Sequence, residues 1–257
     1  MIQKIGSLVI KFISGSGSAA IFAIDALSKA FTPPFRPRLT INQIKSMGAD
    51  SFFVVALVGL FTGAVLAVQA VYAFNKFGAT AYTGSAVALS LIRELGPVLS
   101  ALMVNGRAGS AMCAELGIMK ITEQTDALRA MNVDPIRYLM TPRMLAGIIS
   151  MPLLCCIFDV VGIFGGYAIG VWNLGLPSGT FIEQIISSLK PIDVWSGLVK
   201  SLLFGFIISW TACYKGWTTK FGATGVNNAT TSAVVTASVA ILVIDYFLTS
   251  ILTVVTP

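Results

Sequence analysis

The chain has 257 residues, 56% of them hydrophobic and only 11% charged, with a formal net charge of +6, four cysteines and no histidine. Soluble domains carry about 25% charged residues, so an ordinary soluble domain is excluded, and without imidazole the usual zinc sites and histidine acid–base chemistry go too. Cys113, Cys155, Cys156 and Cys213 lie in apolar stretches with no C-x-x-C pair, which reads as small buried hydrophobes with no catalytic or metal role.

Residues 1–50 differ from the rest. Ile2, Ile5, Val9, Phe12 and Ile13 recur at helical spacing with Lys4 and Lys11 off that stripe, the pattern of an amphipathic helix lying in the membrane interface. Ser14 to Ser18 interrupt it, a second amphipathic stretch runs from Ala19 to Phe31, and Pro33, Pro34 and Pro37 end any helix. The apolar run between Lys4 and Lys11 is too short for a cleavable signal peptide, so the first membrane helix is expected to act as its own insertion signal.

Five membrane spans follow in one permease domain covering 1–257. The first is charge-free over 51–75, long enough for a bilayer core of about 30 Å. The second is predicted over 85–117, with its far end projecting from the membrane, and the others over 144–171, 195–213 and 232–254. The fold class is therefore all-α and polytopic. Lys and Arg orient it: Lys4, Lys11, Lys29, Arg36, Arg38, Lys45, then Lys120, Arg129, Arg137, Arg143, then Lys215 and Lys220 fall on one side, against Lys76 and Lys190 on the other. By the positive-inside rule the N-terminus and the 117–143 and 214–231 connections are cytoplasmic, and the C-terminus is on the opposite face. The same rule, rather than nucleic acid, accounts for the basic excess.

Small residues recur every fourth position at Gly59 and Gly63, and at Gly162, Gly166 and Gly170. That spacing permits close backbone approach, either within one subunit or at a homodimer seam. Ionisable residues inside a membrane are costly and usually functional. Arg93 and Glu94 precede Gly96-Pro97 in the second span; Pro97 has no N–H, so the Arg93 carbonyl loses its i+4 donor and a kink is expected. Arg107 and Glu115 are expected to pair with the following long loop. Asp159 and Asp245 are lone acids that either line a cavity or cap a neighbouring helix.

The cytoplasmic segment 121–139 carries Thr122, Thr125 and Asp126 as capping residues, an apolar face of Ala127, Leu128, Ala130 and Met131, and Asp134-Pro135 as its terminator. A short amphipathic helix of this kind suits docking into a groove on a partner. No G-x-x-x-x-G-K-[ST] phosphate loop is present, so energy for active transport would arrive through another chain.

Taken together, Leu91 to Val98 (LIRELGPV), Gly106 to Ala111 (GRAGSA), Ala114 to Gly117 (AELG), Thr122-Glu123-Gln124, Asp126-Ala127-Leu128, Val133-Asp134-Pro135 and Pro142-Arg143 resemble the MlaE, or YrbE-type, family of ABC transporter permeases that work with MCE proteins. The resemblance implies a homodimer in a bacterial inner membrane that carries phospholipid between inner and outer membranes, with a periplasmic C-terminus. It implies an ABC ATPase partner (MlaF-like) that binds the ATP, a STAS-domain protein (MlaB-like) and an MCE-domain hexamer (MlaD-like); this chain holds no cofactor. Glu123, Gln124, Asp126, Ala127, Leu128, Met131, Asp134 and Pro135 are implied to form the ATPase-coupling helix. Arg93, Glu94 and Pro97 are implied to lie on the lipid path with Leu66, Gln69 and Tyr72 of the first span; Ala70 stands where the family has glycine. From the residues alone, an ion-coupled secondary transporter using Arg93, Glu94, Asp159 and Asp245 is the alternative, although five spans give no even inverted repeat. A membrane enzyme lacks a plausible catalytic constellation, and a non-transporting scaffold completes the set.

Overall fold

The computed structural model describes residues 17–26, 28–29, 37–220 and 222–255, and among these every regular element is helical. A short apolar helix α1 (Gly17–Ala26) is followed by α2 (Pro37–Met47) and the first span α3 (Phe52–Asn75). The second span α4 is continuous over Thr80–Ile121. Then come α5 (Gln124–Ala130), the third span α6 (Ile136–Asn173), a short helix α7 (Ser178–Ser188), the fourth span α8 (Pro191–Trp217) and the fifth, α9 (Ala223–Val255). Among the described residues, five helices are thus long and apolar enough to cross a membrane. The expected stripe at Ile2 to Ile13 lies outside the described residues.

Helix is the only backbone solution for such spans, because lipid offers no partner for a free N–H or C=O. That constraint explains α9, whose Thr, Val and Ile content favours strands in water. Several helices exceed their expected ranges at one or both ends: α4 starts at Thr80 rather than 85 and α9 at Ala223 rather than 232, since polar first turns cap a span without ending it. The helix α7 is a feature the sequence reading did not anticipate. Its Phe181 is buried against Tyr167, and Gly84 of α4 lies directly on the Phe181 carbonyl.

The small-residue repeats are the α3–α6 seam. A Cβ at Gly63 would overlap the Gly162 carbonyl, and one at Gly59 would meet the Phe158 carbonyl oxygen at 2.8 Å. Gly147 of α6 and Gly205 of α8 repeat the arrangement on the other side of α6. So α6 is central, gripped by α3 and α8, with Phe158, Leu154, Met151 and Phe204 fully enclosed. Long stretches of α3 and α9 leave an apolar face open, from Phe53 to Tyr72 and from Val235 to Ile251.

Three of the four cysteines are buried, whereas Cys156 faces outward from α6. Arg107 does not reach the long loop: it donates to the Ser46 carbonyl (3.0 Å) and the Ser51 hydroxyl (2.9 Å), bracing the α2–α3 corner. Glu115 does meet the end of that loop, 2.8 Å from buried Arg143.

Candidate functional site

The site is built on the weak point of α4. Around Leu91–Leu95 the helix widens into a π-helical turn, with the Gly96 N–H donating back to the Leu91 carbonyl. Such turns are rare and concentrate at functional sites. Gly96 and Pro97 follow at once. A Cβ at Gly96 would overlap a carboxylate oxygen of Asp159 on α6, so glycine is what lets that acid approach the break. Asp159 Oδ1 is buried with no hydrogen-bond donor, and its other oxygen lies 3.7 Å from Cys155 Sγ.

The carbonyl that Pro97 deprives of a donor finds one on another helix. Lys200 of α8 is 2% exposed at its side chain, and its Nζ lies 3.0 Å from the Arg93 carbonyl oxygen. The same ammonium donates to Glu94 Oε2 at 2.6 Å and to Thr249 Oγ1 of α9 at 2.7 Å. An ammonium has three donors, and these three acceptors use them. Asp245 of α9, 3.2 Å away, adds charge without a well-directed bond. Thr249 in turn donates to Glu94, 3.0 Å from Oε2. One lysine thereby ties α4, α8 and α9 together.

Beside it, Arg93 Nε donates to Asp193 Oδ1 at 2.7 Å. Asp193 is nearly enclosed and also accepts the Lys190 N–H at 3.0 Å, so the residue that caps α8 also anchors the arginine. Half of the Arg93 side chain and 40% of Glu94 remain exposed to a small cleft of about 60 Å³, lined also by Ile192, Ser196 and Leu252. Two cations and two carboxylates thus line an opening near one end of the bundle, with Asp245 behind Lys200. Arg93 lies about 20 Å along α4 from Thr80, at about 1.5 Å per residue.

A second polar tie joins α4 to α9. Asn105, buried in another π-helical turn, donates to the Val234 carbonyl (2.9 Å) and the Ser238 hydroxyl (3.0 Å). Polar residues are the glue between spans that lack a hydrophobic driving force, and here they reinforce the packing of Ala233, Ala237 and Ile241 of α9.

Of the residues expected on a lipid path, Arg93 and Glu94 meet in the cleft and Pro97 is buried behind it against Gly197. Leu66, Gln69 and Tyr72 do not line it. Leu66 packs on the core, while Gln69 and Tyr72 sit on the open face of α3, with Lys76 Nζ 4.7 Å from the Tyr72 ring centre. The reading from sequence missed Lys200, Asp193 and Thr249. The signal for Lys200 was there: it is a lone cation inside an otherwise apolar span.

At the other end of the bundle, the helix expected over 121–139 is shorter. Glu123 (φ 59°) opens α5 and Asn132 (φ 58°) closes it. Val133 N–H donates to the Leu128 carbonyl and Asn132 N–H to the Arg129 carbonyl, both at 2.9 Å, the Schellman ending that a left-handed asparagine permits. Asp134-Pro135 therefore does not terminate α5. Asp134 Oδ1 accepts the Ile136 N–H at 3.0 Å and so starts α6. Nor do Thr122 and Thr125 cap α5: Thr122 donates to the Ile118 carbonyl, and the Thr125 hydroxyl is buried without a partner. Glu123, Gln124, Asp126, Ala127 and Met131 are exposed, whereas Leu128 packs inward. Asp126 is 3.6 Å from Lys120 and from Arg129, and both cations lie over the Trp217 ring. Asp134 Oδ2 is 2.7 Å from Lys29, which links the segment after α1 to this corner.

Five apolar spans, a charged cleft at one end and a short exposed helix at the other define a polytopic membrane protein. The chain belongs to the MlaE permease family, whose model, Permease MlaE, matches residues 40–251. It is 39% identical over 254 residues to the intermembrane phospholipid transport system permease protein MlaE of Haemophilus influenzae, covering 98% of this chain and 97% of that one. A probable ABC transporter permease protein of Rickettsia felis is 46% identical over 249 residues, 97% of this chain and 96% of the relative. The chloroplastic protein TRIGALACTOSYLDIACYLGLYCEROL 1 of Arabidopsis thaliana is 36% identical over 240 residues, 93% of this chain and 69% of the relative.

Proposed function

We propose that this chain is the membrane-spanning, lipid-carrying subunit of an ATP-driven transporter that moves phospholipid between the inner and outer membranes of a bacterial envelope. Two copies form the lipid cavity, with the open faces of α3 and α9 turned toward each other, which would bring Gln69 and Tyr72 of both copies to the path. The chain sits in the inner membrane with its N-terminus cytoplasmic and its C-terminus periplasmic. That orientation puts the Arg93–Glu94 cleft in the periplasmic half and α5 in the cytoplasm. There Glu123, Gln124, Ala127 and Met131 dock on a separate ABC ATPase. An MCE-domain hexamer on the periplasmic side and a STAS-domain protein on the ATPase complete the assembly.

The observation that carries this reading is Lys200 holding three spans at the broken turn of α4. A phosphate entering the cleft meets Arg93 from its exposed half and competes with Asp193 for that guanidinium and with Glu94 and Asp245 for Lys200. Shifting those pairs loosens the C-terminal end of α9, where Lys200 holds Thr249 and Asp245, so headgroup occupancy and helix position are coupled. The phospholipid named for the Haemophilus relative supports the choice of substrate. The alternative, an ion-coupled transporter, draws its support from Asp159, a buried acid with an unpartnered oxygen.

Gentle extraction of the tagged chain from its native membrane, followed by intact mass measurement, tests the proposal. Two copies with an ATPase pair, an MCE hexamer and phospholipid are expected. The chain alone, with transport that follows a proton gradient, would favour the ion-coupled reading.

A further inference from the structure

A groove lies between α2 and the middle of α6, away from the cleft. Its volume is about 310 Å³ and its walls are Ile41, Ile44, Phe52, Leu153, Leu154 and Ile157, within the range of small-ligand sites, about 300 to 1,000 Å³. Two features separate it from ordinary lipid-facing surface. The hydroxyl of Ser150 on its floor belongs to a residue 1% exposed and has no hydrogen-bond partner. Gly48 packs directly over that hydroxyl, and a Cβ there would come within 3.3 Å of it, so glycine leaves the least cover between Ser150 and the groove. On the rim, Lys45 is exposed and forms no ion pair among the described residues. Arg38 is likewise exposed and unpaired, and it shares a face of α2 with Ile41, Lys45 and Gly48 by its spacing of three, seven and ten residues. There is no acid on α2.

An apolar slot with an unpaired lysine on its rim, a second unpaired cation two turns away on the same face of α2 and an unused donor at its floor matches one chemistry. We propose that the α2–α6 groove binds an anionic phospholipid of the leaflet that meets α2, which is the cytoplasmic leaflet in the orientation above. An acyl chain lies along Ile41, Leu153 and Ile157, an ester carbonyl accepts from Ser150, and the phosphate rests between Arg38 and Lys45. Basic pockets beside membrane helices select anionic headgroups in this way. The site is separate from the cleft at Arg93, so it serves as a fixed or regulatory lipid position beside α3 and α6 rather than the transport path.

The test uses the full chain, delipidated in detergent and titrated with palmitoyl-oleoyl phosphatidylglycerol or the phosphatidylcholine of the same chains, bound lipid being counted by native mass spectrometry. Phosphatidylglycerol should be retained preferentially. Lys45→Gln should weaken it about fivefold, and Arg38→Gln with Lys45→Gln about 25-fold, at about fivefold per cation. Both positions are exposed, so folding does not depend on them, and Leu153→Trp should block retention by filling the groove. Equal retention of the two lipids, or unchanged affinity in the double variant, would overturn the proposal. Loss of the bound lipid in Glu94→Gln instead would assign it to the cleft, overturning this site while leaving the transport reading in place.

Discussion

Lys200 supplies a donor to the carbonyl that Pro97 cannot serve: its Nζ lies 3.0 Å from the Arg93 carbonyl oxygen, on a helix 107 residues away in sequence. An unsatisfied carbonyl in hydrocarbon costs several kcal/mol. An isolated ammonium there is also costly. Each offsets the other's cost only because Glu94, Asp245 and Thr249 complete the shell around the lysine.

Removing the lysine therefore harms stability as well as activity. Lys200→Met leaves two carboxylates and a carbonyl without their partner, at a cost of about 3 to 5 kcal/mol. Adding Pro97→Ala restores a backbone donor and should return about 1 kcal/mol. Thermal unfolding in detergent reads both, and equal melting of the single and double variants would refute the proline–lysine complementarity.

The α3–α6 seam predicts a contrast between two glycines. Gly63→Ala drives a methyl into the Gly162 carbonyl and should cost about 1 to 3 kcal/mol. Gly106→Ala meets nothing within 4 Å, so its change should stay within about 1 kcal/mol, in the stabilising direction. Denaturation of the two variants side by side distinguishes a tight seam from loose packing.

On α5, Met131 is 66% exposed whereas Leu128 packs inward. Met131→Asp should reduce ATPase co-purification about tenfold or more while leaving the melting temperature unchanged. Leu128→Asp should lower both, because it buries a charge within its own subunit. Unchanged ATPase yield with Met131→Asp would remove α5 as the docking helix.

The Lys29–Asp134 pair sets a pH window. Burial raises the Asp134 carboxyl, but Lys29 and the Ile136 N–H outweigh it and hold the group below its ordinary 3.8. Burial likewise opposes the Lys29 charge, yet Asp134 and Asp25 hold the ammonium above 10.5. The contribution is complete between these ordinary values. It is lost as pH falls through the lowered carboxylate value or rises through the raised lysine value. With 40% of the Asp134 side chain exposed, Asp134→Asn should cost less than about 1 kcal/mol. Asp134→Ala also loses the cap on Ile136 and should cost about 1 kcal/mol more. Spin labels at Ser28 and Arg137 should report a constant distance across that window.

Much of this was legible in the residues because hydropathy and length constrain a membrane chain so strongly. The charge-free run at 51–75 and the Gly59/Gly63 spacing each left a periodic trace, and the orphaned Arg93 carbonyl followed from Pro97 alone. What answers that carbonyl did not, because the distance from Arg93 to Lys200 is tertiary and no local pattern encodes it. Asp134-Pro135 was misassigned for a local reason: an Asp-Pro pair can end one helix or begin the next, and Asn132 in the left-handed region decides which. Helix α7 was missed because its eleven residues give too short a stripe to stand out beside five full spans.

The central claim, that the Arg93–Glu94 cleft lies on the lipid path, is tested most directly by ATP-driven phospholipid transfer from vesicles carrying the assembled complex with Glu94→Lys. The charge reversal sets a second cation near Lys200, but the side chain at this position is 40% exposed and can turn into the cleft, while Asp245 and Thr249 still partner the lysine, so the complex should still assemble. Transfer should fall by about tenfold or more, equivalent to about 1.4 kcal/mol, at unchanged complex yield. Transfer at the unsubstituted rate would contradict the account and remove the cleft from the path.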